Sequence, residues 1–233
     1  MTEKLSPRKR KQQIIEAGFK IFREKGYDNA SVRDIIEEID ISKGGFYHHY
    51  SSKEELLEDI AEAMIDKMMR IVEKIVERDD LNALEKLNEF IRRVNSYKAD
   101  RAEEMTYLFS QMYSGGKNIR LERKFFQLAR RKMYPLFKEI VEQGVNEGSF
   151  TTEYPGEAAE FYLDLFLIYQ RRLGEPFVEA LEEKDRRSFE DLKRKYAFLQ
   201  EVFENVLGIE EGNLVLEEVA VDVLGEPLHL NQK

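Results

Sequence analysis

The sequence has no cysteine and no tryptophan, and only three histidines among its 233 residues. Without cysteine there are no disulfides, no thiolate nucleophile and no thiolate-ligated metal site. His48 and His49 are adjacent, and on a helix they point about 100° apart, so they cannot share a metal as an i, i+4 pair does. The third, His229, lies in the C-terminal tail. No apolar run approaches the roughly 18 residues that a membrane-spanning helix needs. The opening "MTEKLSPRKRKQQ" lacks the apolar segment of a secretory signal, so a cytoplasmic protein that does not engage membranes is expected. Glycine-rich phosphate loops, nucleophile elbows and His-Glu-x-x-His patterns are missing as well. The carboxylates of Glu160 and Asp164 fall one helical turn apart, a spacing better read as a solvated stripe than as an acid–base pair. The protein is therefore not expected to be an enzyme, and neither a cofactor nor a metal is expected.

What is present is material for a packed, helical protein. Hydrophobic residues make up 42% and charged residues 36% of the chain, enough to bury a core in one small and one larger domain. The net charge of −9 is unevenly spread. Residues 1–53 hold 11 Lys or Arg against 8 Asp or Glu, net +3, and the remaining residues hold 26 against 38, net −12. Lys4, Arg8, Lys9, Arg10 and Lys11 put the positive charge at the N-terminus, where it would attract phosphate locally while the acidic body faces away.

Ser6 followed by Pro7 opens a helix whose stripe of Ile14, Ile15, Gly18, Phe19, Ile21 and Phe22 ends at Gly26. Ser31 and Asp34 read as a capping box for a second helix with Val32, Ile35, Ile36 and Ile39 on its inner face. A four-residue turn, 40–43, leads into "ISKGGFYHHYSSKEELL". Two glycines in a helix weaken it by roughly 1 kcal/mol each relative to alanine, so their presence calls for another reason. Capped by Ser42, a helix over 43–50 puts Phe46, Tyr50, Lys43 and His49 on one side and Gly44, Tyr47 and His48 on the other. The second side offers bare backbone, a hydroxyl-bearing ring and an imidazole to something that approaches closely. Two short helices joined by a tight turn and braced by a longer one form a helix-turn-helix, whose second helix enters the major groove of DNA.

The run "ASVRDIIEEIDISKGGFYHHYSSKEELL", residues 30–57, together with the "EKGYDNASVRDI" lead-in and the basic first helix, resembles the TetR family of transcriptional regulators. Asp40 stands where the family turn usually carries glycine, a position that asks for a left-handed backbone, which Asp tolerates better than most residues. The resemblance implies a double-stranded DNA operator contacted from Ser31, Arg33, Ser42, Lys43, Gly44, Gly45, Tyr47, His48, Tyr50 and Lys53, with Tyr47 and Lys53 at phosphate-contacting positions. It covers the first quarter of the chain strongly and the rest only in its helical character.

The expected fold is all-α. A three-helix DNA-binding domain occupies 1–53, a helical effector-binding and dimerisation domain 54–212, and an extended tail 213–233, where "NLVLEEVAVDVLGEPLHL" alternates in the manner of a strand. Helices are expected over 52–78, with Leu56, Leu57, Ile60, Met64, Met68, Ile71, Val72 and Ile75 inward, and over 80–97, 100–113, 118–147 with a kink at Pro135, 156–172 and 187–207. The helix near 156–172 is apolar almost all round and should pair with 187–207 and their symmetry mates in a homodimeric four-helix bundle. Met68, Met105, Tyr107, Phe109, Met112, Phe126, Tyr134, Phe166 and Tyr169 are candidates to line a pocket for a largely apolar small-molecule effector, although Met and aromatic stripes are more often plain core. The sequence points to a homodimeric repressor that a small molecule releases from a palindromic operator; the alternative is a helix-turn-helix regulator with a filled core, controlled by a protein partner.

Overall fold

The computed structural model describes residues 6–101, 104, 107, 108, 110, 111, 119–183 and 186–216. Eight helices are defined among them. The first, α1 (Pro7–Lys25), starts where the Ser6 hydroxyl accepts from the Lys9 N–H at 3.3 Å and ends at Gly26, φ 77°. The second, α2 (Val32–Glu38), opens on the expected box. Ser31 Oγ accepts from the Asp34 N–H at 3.2 Å, and the Asp34 carboxylate accepts from the Ser31 N–H at 2.8 Å. Lys25 also reaches that carboxylate, and its hydrogen bond first, then those of Ser31, hold Asp34 well below the usual carboxylate range. Asp40 has φ 48°, the one non-glycine left-handed residue among those described, as the missing turn glycine requires.

The third helix, α3, is Lys43–Tyr47, three residues shorter than the 43–50 expected. The His49 N–H turns back to the Phe46 carbonyl at 2.9 Å, tightening the last turn and sending Tyr50 inward. Ser52 then caps α4 (Lys53–Val76), accepting from the Glu55 N–H at 3.2 Å, while the Glu55 carboxylate closes on the Ser51 N–H at 2.7 Å, one residue earlier than a capping box would place it. At the other end, the buried Lys86 amine donates to the Val76 carbonyl at 2.7 Å and replaces the hydrogen bond that the helix end lacks. Asn82 and Glu85 exchange backbone and side-chain bonds at 2.9 Å to open α5 (Ala83–Ala99). The body is completed by α6 (Ile119–Glu147), which runs through Pro135, α7 (Pro155–Glu183) and α8 (Arg186–Leu207). Where the sequence suggested a helix ending near 172, α7 carries on past Gly174 and Pro176, since each lowers helix stability without forbidding propagation from the turns on either side.

Apolar side chains form two cores. The smaller joins α1, α2, α3 and the first half of α4, with Ile14, Phe22, Ile35, Phe46, Tyr50, Leu56 and Ile60 essentially sealed. The larger joins the second half of α4 to α5–α8. Rings from four helices follow one another across it: Phe90 to Phe137 at 4.7 Å, Phe137 to Tyr162 at 5.0 Å, and Tyr162 stacked on Phe203 at 3.9 Å. The inward stripe of α4 changes phase at the handover from Met64 to Ile65. Beyond it Met69, Val72 and Val76 are sealed, whereas Met68 and Ile71, expected inward, are only half-buried, because the second core meets the helix at a different angle. Helix α6 also reaches both cores through Leu121 and Phe125, so α4 does not bridge them alone.

Beyond α8 the chain turns at Gly208, and Asn88 of α5 brackets it by donating to the Asn213 carbonyl at 2.8 Å and accepting from the Val215 N–H at 3.1 Å. Leu214 and Leu216 are buried there. The strand-like alternation expected around Val219, Val221 and Val223 lies outside the described residues.

Gly144 is a packing glycine. A Cβ there would stand 2.2 Å from the Phe150 ring. Gly144→Ala is therefore expected to destabilise the protein by about 1–3 kcal/mol through overpacking, read as a lower urea midpoint; an unchanged midpoint would mean that the ring swings aside freely.

Candidate nucleic-acid interface

The glycine-containing helix presents two chemically different sides. Phe46 and Tyr50 are buried and His49 is half-buried, while Ser42, Lys43, Gly44, Tyr47 and His48 are exposed and Gly45 lies between. Ser42 caps α3 by accepting from the Gly45 N–H at 3.0 Å, which fixes the first turn from which Lys43 and Gly44 project. The Phe46 ring, locked in the core, meets Tyr47 edge-on at 5.5 Å, and the Lys43 amine lies 5.9 Å from the Tyr47 ring centre. A built Cβ on Gly44 would meet nothing nearer than Ser42 Oγ at 3.9 Å, so its lack of a side chain answers no crowding inside the protein.

Four sequence-predicted contacts are engaged within the protein. Tyr50 is 1% exposed and its hydroxyl donates to Asp59 of α4 at 3.0 Å. Burial, and then the Asp59 charge, push its ionisation far up, and Lys11 of α1 completes the tie by pairing with the same carboxylate at 2.6 Å. Tyr50 is thus a brace between α1, α3 and α4 and cannot reach DNA. Its place on the Phe46 side of the wheel already carried that signal. The Lys53 amine donates to the carbonyls of Tyr27 at 2.7 Å and Ala30 at 3.2 Å and sits 4.4 Å from the Tyr27 ring centre, which ties the start of α4 to the loop before α2. Arg33 is exposed but paired with Glu37 along α2. The exposed Ser31 hydroxyl is engaged with Asp34.

This arrangement separates two effects by mutation. Tyr47→Ala is expected to weaken binding to an operator duplex by about 1–3 kcal/mol without changing the melting temperature, whereas Lys53→Ala should lower both, because the amine holds protein carbonyls. Fluorescence anisotropy across a salt series beside a thermal melt reads the two; equal loss of stability in both variants would refute the division.

The architecture and the exposed face of α3 agree with what the sequence is similar to. A profile described as "Bacterial regulatory proteins, tetR family" matches residues 14–60, from α1 into α4. Over residues 14–60 the chain is similar to the TetR family. It is 28% identical to the HTH-type transcriptional regulator YfiR of Bacillus subtilis over 67% of its own length and 76% of that protein's. It is 23% identical to the HTH-type transcriptional repressor KstR2 of Mycolicibacterium smegmatis, over 70% and 74% respectively. Among solved structures, a TetR/AcrR-family regulator from Thermobifida fusca superposes with a TM-score of 0.55 at 20% identity, covering 97% of this chain and 100% of that one. At that identity the likeness concerns the fold. These TetR relatives are regulators of transcription, and among the described residues no helix is long and apolar enough to cross a membrane.

The helical body does not gather the sequence-predicted effector residues in one place. Met68, Phe126, Tyr134 and Tyr169 pack at the margin of the larger core and Phe166 inside it, whereas Tyr107 joins the smaller core against Phe19 at 6.0 Å. Met105, Phe109 and Met112 lie outside the described residues. Phe126 lines a cleft of about 520 Å³ between α6 and α7 together with Leu167, Ile168, Arg130 and Asp164. Arg130 donates there to both Asp164 and Glu160, so the carboxylates read as a solvated stripe are the two acceptors of one guanidinium. Two further features leave no mark in the sequence: among the described residues, the hydroxyls of Tyr107 and Tyr162 are buried and without a hydrogen-bond partner. Burial alone drives the ionisation of Tyr162 far up, which keeps it a neutral donor.

Proposed function

We propose that this TetR-family regulator is a homodimeric repressor of a palindromic operator, released by a small-molecule effector. The reading takes residues 1–53 as the DNA-binding domain, 54–212 as the effector and dimerisation domain, and 213–233 as a tail. On this reading Lys43, Gly44, Tyr47 and His48 face the groove, with Ser42 and Gly45 shaping the approach and Ser31, Arg33 and Lys53 at its edge. Dimerisation runs through α7 and α8, whose Phe161, Ile168 and Phe198 are each more than half exposed. A dimer places two copies of α3 one turn of DNA apart.

The observation that carries effector control is the pair of unpartnered hydroxyls. A buried polar group left unsatisfied costs about 1–3 kcal/mol, so natural cores keep one where something else completes it. Tyr162 sits in the middle of the body, and Tyr107 sits where the body meets α1. An effector that hydrogen-bonds either group and displaces α6 would act on the N-terminal unit through two levers, α4 and the start of α6. Release follows only if it prefers the conformation whose reading helices are out of register.

The expected result for Tyr162→Phe is a gain in stability of about 1 kcal/mol together with loss of effector-induced release, at unchanged operator affinity. The test screens apolar compounds bearing one hydrogen-bonding group for release of a duplex enriched from a random pool, then repeats the hits on the variant. Absence of any releasing compound, with Tyr162→Phe less stable than the parent, would favour a filled core and control by a protein partner.

A further inference from the structure

We propose that the groove between α4 and α5 is a binding site for an organic diphosphate of the nucleoside diphosphate class, separate from both the reading helix and the α6–α7 cleft. Lys67, Arg70 and Lys74 stand on successive turns of α4, are exposed, and form no ion pair or hydrogen bond among the described residues. Several other cations of this acidic chain find carboxylates: Lys132 takes Asp66 one residue before Lys67, Lys124 takes Glu58, and Arg78, just beyond the end of α4, takes Asp80. Like charges three and four residues apart on α4, Lys67 with Arg70 and Arg70 with Lys74, cost a helix about 0.2–0.5 kcal/mol each, a cost that Asp66 and Glu73 offset in part and a bound anion would relieve further.

The groove is built to accept more than phosphate. It is an open groove of about 640 Å³, within the range of small-molecule sites. Ile71 supplies a half-buried apolar floor beside the nearly sealed Ile75 and Tyr97, and the Arg101 guanidinium, 4.3 Å from the Tyr97 ring centre, is a planar cation on which a flat heterocycle can stack. Six cations and two acids line it, in a chain whose net charge is −9, so the local field is opposite to that of the whole molecule. Asp100, at the α5 end, is an acceptor suited to a sugar hydroxyl. Arg70 with Lys74 offers the forked and point donors that phosphate oxygens take. Operator DNA is a poor occupant, because Lys67 lies 14 residues beyond Lys53, about 20 Å along α4 from the reading unit.

Isothermal titration calorimetry on the full chain with adenosine diphosphate, pyrophosphate and adenosine tests the assignment. Saturable one-to-one binding of adenosine diphosphate is expected, at least tenfold tighter than either fragment, and weakened at least tenfold in Arg70→Gln/Lys74→Gln with an unchanged melting temperature. That variant should still bind the enriched operator duplex as the parent does, which keeps this result independent of the repressor reading. No saturable binding, pyrophosphate binding as tight as adenosine diphosphate, unchanged affinity in the variant, or loss of operator binding in it would each overturn the proposal.

Discussion

Gly44→Leu is expected to remove sequence-specific DNA binding while leaving the protein folded and, if anything, more stable. The position is exposed and open, with Ser42 Oγ at 3.9 Å the nearest atom a Cβ would meet, so leucine fits the free protein. Replacing glycine inside a helix raises helix stability by up to about 1 kcal/mol, and the melting temperature should hold or rise. In the complex the same side chain stands between the α3 backbone and the groove, beside Lys43 and Tyr47. Loss of the close approach forfeits the base-edge contacts and leaves the phosphate term, a drop of about a thousandfold or more toward non-specific affinity. Anisotropy titration of the enriched duplex against a scrambled one, beside a thermal melt, measures both quantities. Should the variant still discriminate the two duplexes, the face carrying Gly44 is not the docking face.

The second large effect concerns assembly. Phe161 on α7 and Phe198 on α8 are 56% and 55% exposed, and Ile168, two turns beyond Phe161, is 52% exposed. Burying a large apolar side chain is worth about 1.5–3 kcal/mol, and a twofold axis buries each residue twice. Phe161→Glu/Phe198→Glu is expected to yield a folded monomer, because neither side chain belongs to a protomer core. Without its partner one α3 must hold a half-site alone, and affinity for the enriched duplex should fall by at least a hundredfold. Sedimentation velocity reports the assembly and anisotropy the affinity. A variant that remains a dimer would place the interface elsewhere and remove this support for the bundle of α7 and α8.

The sequence alone determined what depends on near neighbours. Ser31 with Asp34, Ser6 with Pro7, the left-handed Asp40 and the two-sided character of α3 all rest on interactions that span at most a few residues, and each is present in the fold. Those same local patterns carry the helix-turn-helix and hence the family. The tertiary structure decided everything set by contact across long separations. It turned Tyr50 into a brace for Asp59 and Lys11, gave Lys53 to the carbonyls of Tyr27 and Ala30, and joined Glu160 and Asp164 to Arg130 some thirty residues away. It also moved the inner stripe of α4 from Met68 to Met69 and gave the two cores a second bridge through Leu121 and Phe125. Periodicity tells which side of a helix is apolar. Which other helix that side meets, and at what angle, is fixed only when the chain packs, because burial acts between surfaces that the sequence keeps far apart.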